Sequence, residues 1–385
     1  MMDFSLTEEQ KMLRDVARRF TDEVVRPRAA EIDEKEEAPP DIIRKAAELG
    51  FLGVVFPEKY GGSGLGEVGY CLLLEEIARG CNSTAVTIGG HESLGAMAIY
   101  LAGSESQKEK YLVPLAAGDL LAAYALTEPQ AGSDAGAIRT NARPASGGWL
   151  LDGNKTYITN GNIADVIVVF AVTDPDKGTH GGMTGFIIEK GFKGFRAGKP
   201  EKKMGIRGSH TTDLFFEEVF IPRENVLGPV GDGFKVAMTT LNVARVSLAA
   251  QCLGSMKELL DLSIAYANGR VQFGKPIAEQ QAVQFMLSEM AADVYQIESI
   301  LYRTALMVDR GVPFSRESAI CKLTATEAVC RCADRAMQIH GGAGYMREYP
   351  IERLYRDARV HRIFEGTNEI QHLVIARDLN KKGSY

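Results

Sequence analysis

From Val283 to Val308 the apolar residues Val283, Leu287, Met290, Val294, Ile297, Leu301 and Val308 recur at three- and four-residue intervals, or at the sum of the two from Leu301 to Val308, with no glycine or proline between them. A stripe of that length is buried only when other helices lie along it, so this part of the chain is committed to an antiparallel bundle. Helical patterning continues from Gly231-Asp232-Gly233 to the C-terminus. The opening 120 or so residues are helical too. Leu13, Val16, Ala17, Phe20 and Val24 repeat at helical spacing behind a Thr7/Gln10 capping box, a second helix follows Pro39-Pro40-Asp41 and stops at Gly50, and Gly66 to Arg79 and Glu105 to Ala117 carry the same pattern.

Between the helical regions the texture changes. Leu120 to Leu126, Trp149 to Thr159, Val166 to Thr173, Thr184 to Lys190 and Asp213 to Ile221 are runs rich in β-branched and aromatic residues, punctuated by turn signals such as Asp152-Gly153 and Gly181-Gly182. Evenly spaced strands without intervening helices suggest a small antiparallel barrel or sandwich. The chain therefore reads as an α+β multidomain protein: an N-terminal all-α domain over 1–121, a central antiparallel β-barrel/sandwich domain over 122–231, and a C-terminal helical bundle over 232–385. Two helical lobes clasping a β domain create deep clefts between domains, where ligands tend to sit.

A length of 385 residues leaves room for such cores. A net charge of −6 argues against nucleic acid or an anionic membrane surface as the main partner. The six cysteines (Cys71, Cys81, Cys252, Cys321, Cys330 and Cys332) form no CxxC pair and have no histidine spaced to complete a zinc site, so no metal is expected and the thiols fit a reducing compartment. The N-terminus, Met-Met-Asp-Phe-Ser-Leu-Thr-Glu-Glu-Gln, is acidic where an export signal is basic and then apolar. The longest uninterrupted apolar runs, such as Val166 to Val172, are far shorter than the roughly 20 residues that span a bilayer. The expectation is a cytoplasmic protein acting on small molecules, with no membrane.

Four segments carry candidate chemistry. Phe364-Glu365-Gly366-Thr367 places a carboxylate before a Gly-Thr pair at the start of a helical pattern, a setting for a general base among free backbone N–H groups; the alternative is a first-turn residue stabilised by the helix dipole. Tyr124 to Gly136, with Leu126-Thr127-Glu128-Pro129 and Ala131-Gly132-Ser133-Asp134, joins a strand to a loop of small and polar residues, either a ligand cradle or a surface turn. Gln338-Ile339-His340-Gly341-Gly342-Ala343-Gly344 ends a helix with more glycines than a C-cap uses. Gly269 to Lys275 matches GxxxxGK, but Pro276 replaces the Ser or Thr of a P-loop, and the segment follows a helix rather than a strand. Asn242-Val243-Ala244-Arg245 lies in a helical pattern, where Arg245 alone reads as a surface charge.

Taken together, in order and spacing, these segments resemble the acyl-CoA dehydrogenase family of flavoenzymes. The likeness runs nearly end to end and rests on Leu126-Thr127-Glu128-Pro129 with Ala131-Gly132-Ser133-Asp134, on Tyr355-Arg356-Asp357-Ala358-Arg359 and on Phe364-Glu365-Gly366-Thr367. The resemblance implies a four-helix bundle at the C-terminus and an extended FAD shared between subunits of a homotetramer, a dimer of dimers. It implies that Tyr124, Leu126, Thr127 and Ser133 contact the flavin and that Tyr157 with Thr159 covers its ring, with Tyr157 standing where many relatives have Trp. Arg270, Gln272, Phe273, Gln281, Gln338, Ile339, His340, Gly341 and Gly342 are implied to hold the diphosphate and adenosine of a neighbour's FAD, with Thr367 and Glu369 completing that site. Ser133, Asn242, Arg245 and Gly366 are implied on the substrate side, although Asn242 stands where relatives usually have Asp.

The implied activity is α,β-dehydrogenation of an acyl-CoA thioester, as in fatty acid β-oxidation, with electrons passed to an electron-transfer flavoprotein. Glu365 is the implied base, and its own N–H is the implied donor to the thioester oxygen. Some relatives carry the base at the position of Ala244, which has no carboxylate here; this points to short, medium or 2-branched acyl groups. His91 and Glu92 fall in the segment that lines the acyl-tail region in relatives, and lie either on the surface or, if buried, where they favour a polar acyl chain. The competing readings are a same-fold flavoenzyme using oxygen or a carrier-bound acyl group, and a flavin-free helical scaffold.

Overall fold

The computed structural model describes residues 5–37 and 39–383, so the acidic stretch Met1 to Phe4 read above lies outside the described residues. Thr7 caps the first helix as expected. Its hydroxyl accepts from the Gln10 N–H at 3.2 Å, and Gln10 Oε1 accepts from the Thr7 N–H at 3.0 Å. The N-terminal region comprises α1 (Glu8–Phe20), α2 (Ala29–Lys35), α3 (Pro40–Glu48), α4 (Gly66–Gly80), α5 (Asn82–Gly89), α6 (Met97–Ala102), α7 (Glu105–Gln107) and α8 (Val113–Ala117). The helix expected over Glu105 to Ala117 is divided, because Lys108–Leu112 winds as a π-helix between α7 and α8.

The central strands are β1 (Ala122–Ala125), β2 (Asn141–Ala145), β3 (Gly148–Thr159), β4 (Val166–Val172), β5 (Met183–Glu189), β6 (Phe195–Ala197), β7 (Thr211–Pro222) and β8 (Val226–Leu227), with the single turn α9 (Thr179–Gly182) before β5. They run β6-β7-β3-β2-β4-β5-β8, with β1 added alongside β4. The sheet is not wholly antiparallel: β1 pairs with β4 in parallel, from Ala122 opposite Val166 to Ala125 opposite Val169, and β2 meets β4 in parallel at Asn141 and Val172. It folds over itself, so Leu151, Ile158, Leu214, Phe216 and Val219 of β3 and β7 share a core with Ile167, Val169, Phe186 and Ile188 of β4 and β5. The other face of β4, Val166, Val168 and Phe170, packs against Ala96 to Ile99 and Leu115 from the N-terminal helices. Burial on both faces is why β4 reads as an unbroken apolar run.

Asp152-Gly153 is not a turn between strands, as its composition suggests, but an irregularity inside β3. The pairing with β7 shifts register between Leu151 and Gly153, and Gly153 adopts φ 142°. Strands β2, β6 and β8 have no clear signal in the sequence because they are short and, in β2, carry Asn, Arg and Pro.

The C-terminal region contains α10 (Gly233–Gly269), the hairpin strands β9 (Val271–Gln272) and β10 (Lys275–Pro276), α11 (Gln281–Asp309), α12 (Ser315–His340), α13 (Ile351–Ala358) and α14 (Asn368–Lys382). Helices α10, α11, α12 and α14 form the bundle, and α4 lies across α10 and α11. The helical lobes are not separate clamps. Leu72, Leu73, Leu74 and Ile77 of α4 share one buried cluster with Val246, Leu253 and Met256 of α10 and Leu301 of α11. Helix α10 is long and apolar enough to cross a membrane, but 78% of its most apolar window is buried inside this core.

The helix crossing that joins the two lobes depends on one small residue. A Cβ at Gly254 of α10 would lie 2.1 Å from the Glu75 carbonyl oxygen of α4, whereas at Gly269 it would meet open space. Overpacking of this kind costs about 1–3 kcal/mol or more. Gly254→Ala is therefore expected to lower the melting temperature or the soluble yield, and Gly269→Ala to leave both near wild type, as read by thermal denaturation.

Candidate functional site

Chain backbone conformation marks the site before any ligand is considered. After α13 the chain makes a 3₁₀ turn over Arg359–Arg362, then places Glu365 and Gly366 at φ 56° and 88° before α14 starts at Asn368. Left-handed backbone is uncommon for a non-glycine residue and persists where its surroundings enforce it. Glu365 thus lies two residues before the N-cap rather than in the first turn of the helix, and Thr367 is that N-cap, its hydroxyl accepting from the Ile370 N–H at 3.4 Å. At φ 88° any side chain at 366 is strained, and its Cβ would also displace the Gln371 amide, 2.8 Å away, so glycine is favoured there.

Three helices hold the carbonyls of this loop. Arg245 of α10 donates through Nε to the Glu365 oxygen at 3.2 Å, Lys322 of α12 donates to the Gly366 oxygen at 2.9 Å, and Gln371 of α14 donates to the same oxygen at 2.8 Å. Arg245 is buried, not the solvated charge its helical setting suggests, and its Nη1 donates to Asn242 Oδ1 at 2.8 Å. Glu365 Oε2 is buried with no hydrogen-bond partner among the described residues. Burial pushes the carboxyl up to about 8, with the charges of Lys322 and Arg245 opposing the rise. Among the described residues the N–H groups of Glu365 and Gly366 donate to nothing in the chain. Ala244, beside Arg245 on α10, is buried and leaves Glu365 without a rival carboxylate there.

Tyr124 at the end of β1 belongs to the same group. Its hydroxyl donates to the Ala237 oxygen of α10 at 3.2 Å, and its ionised form would feel both Arg245 and Glu365. Beyond it, Leu126 is buried while Ser133 is exposed on the loop and Gly132 has open space around it. The loop is anchored by a buried ion pair. Lys155 of β3 donates to Glu128 Oε1 at 2.7 Å and to the Leu126 oxygen at 3.0 Å, while Glu128 also accepts from the N–H groups of Arg139 (2.6 Å) and Thr140 (3.0 Å). Burial works against the Glu128 carboxylate, but Lys155 and these donors outweigh it and hold its pKa below the usual range. The Thr156 N–H bonds to the Thr127 oxygen at 2.9 Å, tying β3 to the loop. Next to it, Tyr157 sits at a β3 register shift with φ 57° and is 69% exposed, so the bulge turns its ring outward; Thr159 packs on Gly90.

A second assembly lies at the far end of α10. Arg270, Gln272, Ile339, His340, Gly341 and Gly342 line a cavity of about 890 Å³ together with Tyr266 and Tyr349. His340 is packed rather than free: its ring stacks on Tyr266 at 4.3 Å and its Nδ1 donates to the Ala336 oxygen at 2.8 Å. Gly341 takes φ 57°, and a Cβ at 341 or 342 would meet nothing within 4 Å, so this backbone is bare and open. Phe273, 95% exposed at φ 52°, tips the β9–β10 hairpin, while Gln281 and Gln338 are exposed nearby in sequence but do not line the cavity. Thr367 and Glu369 do not line it either. Within one chain, the two groups of predicted cofactor residues are therefore separate.

His91 and Glu92 are both fully buried. His91 accepts through Nδ1 from the Ala122 N–H at 3.0 Å and donates through Nε2 to the Leu52 oxygen at 3.2 Å; Glu92 accepts from the Val55 N–H at 2.8 Å. His91 joins the N-terminal region to β1, and Glu92 ties that region to itself. Lys322, Gln371 and Lys155 are absent from the expected site, and Glu128 enters the expectation only within the Leu126-Thr127-Glu128-Pro129 block. A lysine on the apolar stripe Ser318, Ala319, Lys322, Ala325, Val329 was a usable signal for the first.

Two outcomes follow. Removing Lys155 alone leaves a buried carboxylate unpaired, a loss of about 3–5 kcal/mol, so Lys155→Met is expected to melt well below wild type and to free the 127–134 loop to proteolysis. A carboxyl whose folded pKa is raised costs stability as pH climbs from its unfolded value towards the folded one. Glu365→Gln is therefore expected to melt a few degrees above wild type at pH 8 and near it at pH 5.

Comparison with known proteins agrees with this geometry. The acyl-CoA dehydrogenase N-terminal, middle and C-terminal domain models match residues 7–119, 123–219 and 231–380. An acyl-CoA dehydrogenase of Bacillus subtilis is 44% identical over 97% of this chain and 98% of its own length. An acryloyl-CoA reductase (NADH) of Anaerotignum propionicum is also 44% identical, over 99% and 97%. Among solved structures, butyryl-CoA dehydrogenase from Megasphaera elsdenii superposes with a TM-score of 0.96 at 42% identity, covering 98% of this chain and all of that one. A chain from work on the electron transferring flavoprotein of Acidaminococcus fermentans also gives 0.96 at 42%, covering 98% and 99%. The chain belongs to the acyl-CoA dehydrogenase family.

Proposed function

We propose that this protein is an FAD-dependent acyl-CoA dehydrogenase in which Glu365 removes the α-proton of an acyl-CoA thioester. The observation that carries the assignment is a buried, unpartnered carboxyl oxygen on a loop clamped by Arg245, Lys322 and Gln371. FAD is the family's cofactor, and the residues present fit it. Gly132, Gly341 and Gly342 leave bare backbone, Arg270 and Gln272 offer donors for a diphosphate at the 890 Å³ cavity, and the outward ring of Tyr157 suits an aromatic ligand face. When bound, FAD supplies the acceptor for the β-hydride.

The chain's own residues supply the rest. An α-proton of a thioester is weakly acidic, so its removal needs a base and a donor on the carbonyl oxygen together. Glu365 provides the base through its carboxylate and, through its unengaged N–H, the donor. Arg245 fixes the Glu365 carbonyl and with it the peptide plane leading from Glu365 into Gly366, and Tyr124, tied to Ala237, closes the β-domain side. Tyr124, Leu126, Thr127, Ser133, Tyr157 and Thr159 form the flavin side in this reading; Arg270, Gln272, Phe273, Gln281, Gln338 to Gly342, Thr367 and Glu369 serve a neighbour's cofactor. That division requires an oligomer, and a homotetramer matches the separation of the two groups within one chain.

Short-chain acyl groups are the favoured substrates, supported by the likeness to butyryl-CoA dehydrogenase and by the missing carboxylate at 244. An electron-transfer flavoprotein in the cytoplasm is the proposed electron partner. By microscopic reversibility the same residues serve reduction of an enoyl-CoA, the direction named for the Anaerotignum relative, and the electron partner decides the direction.

The purified protein is expected to be yellow and to bleach anaerobically with butyryl-CoA. Glu365→Gln is expected to keep its flavin and lose at least about 10²-fold in reduction rate; near-normal reduction by that variant would sink the assignment. Because the base must be ionised, kcat/KM should rise with pH through about 8 in the wild type, as read by rapid-mixing flavin reduction across pH 6 to about 9.5.

A further inference from the structure

Lys322 is fully buried in the N-terminal third of α12. Its Nζ donates to the Gly366 oxygen and to Asn368 Oδ1, each at 2.9 Å, and Asn368 is itself fixed by Thr326 Oγ1 at 3.0 Å and by donation to Glu327 Oε1 at 2.7 Å. A buried ammonium is costly, and two neutral acceptors repay it only in part. The titratable groups that act on it are Glu365 from the loop, Glu369 from α14, Arg245 and Cys252 from α10, and His361 from the turn before the loop. His361 is buried with both ring nitrogens unpartnered among the described residues, and burial keeps it neutral, so it does not offset the lysine charge.

We propose that Lys322 is a positioning residue for Glu365: by tying the Gly366 carbonyl and the Asn368 side chain to α12, it holds the loop in the left-handed turn that presents the carboxyl to substrate. This rests on the reading of Glu365 as the base. Gln371 holds the same carbonyl from α14, which begins within the loop's own chain segment, whereas Lys322 anchors it to α12, the separate helix against which α14 packs. Its charge acts as well. Together with Arg245 it favours the ionised carboxylate against burial, so its removal shifts base competence to higher pH.

The test uses the flavin-loaded enzyme with butyryl-CoA as probe. In Lys322→Met, hydrogen exchange of the backbone amides from 363 to 372 is expected to quicken by about tenfold while the rest of the protein is unchanged. Flavin reduction at pH 7 is expected to slow by about tenfold, with the butyryl-CoA dissociation constant within about threefold of wild type. The acidic limb of the rate profile is expected to move up by about one pH unit, and Lys322→Arg to restore most of that shift. Wild-type loop exchange together with an unshifted limb in the methionine variant overturns the proposal. If that variant does not fold, Asn368→Ala, which removes one acceptor of Lys322, decides instead: quickened loop exchange supports the proposal and unchanged exchange overturns it. Failure of wild-type flavin to bleach with any acyl-CoA would defeat the assignment of Glu365 as base, while the exchange measurement would still judge the anchor.

Discussion

The site depends on holding one carboxyl out of water without letting it pair. Glu365 has cations on two sides, Arg245 and Lys322, yet both spend their donors on backbone oxygens and on neighbouring amide side chains rather than on its carboxylate. A direct ion pair would leave the carboxylate a weak base; no stabilisation at all would leave it permanently protonated. Charge held close but aimed elsewhere places the group between those limits, where a base operating near neutral pH has to lie.

The same logic recurs on the β side with the opposite outcome. Glu128 and Lys155 are a fully made buried pair, and the carboxylate takes backbone N–H groups as well. Such a pair is inert chemically and valuable geometrically: it fixes the loop that carries Thr127 and Ser133. Seven described non-glycine residues have left-handed backbone, and three of them fall at the proposed site. Glu365, Tyr157 and Phe273, each in left-handed conformation, are respectively the proposed base, the proposed flavin cover and the tip of the hairpin beside the proposed adenosine cavity.

The fusion of the helical lobes gives these loops something rigid to hang from. Because α4, α10, α11 and α12 share one core, Arg245 and Lys322, two of the residues that clamp the loop at 365, sit on elements whose relative positions are set far from the site. Positions held this way tolerate a destabilised group, and the rise in stability expected on neutralising Glu365 is the measure of what the fold gives up there.

Much of this was legible in the sequence. Helix, strand and helix blocks followed from periodicity, the α1 cap from Thr7 and Gln10, and the chemistry-bearing motifs from residue type and spacing. What periodicity missed was short or irregular: β2, β6 and β8, the bulge at Gly153 that composition disguises as a turn, and the parallel seating of β1 against β4. The tertiary structure alone decided that Arg245 and His91 are buried, that Lys322 reaches Gly366 and that Lys155 reaches Glu128. Those contacts join residues far apart in the chain, and local pattern encodes which face of an element is apolar, not which partner its polar groups will meet. The sequence determined the order of the elements and singled out Glu365 as the proposed base; folding decided the electrostatic surroundings that suit it to that role, because burial and charge proximity exist only once distant segments are packed together.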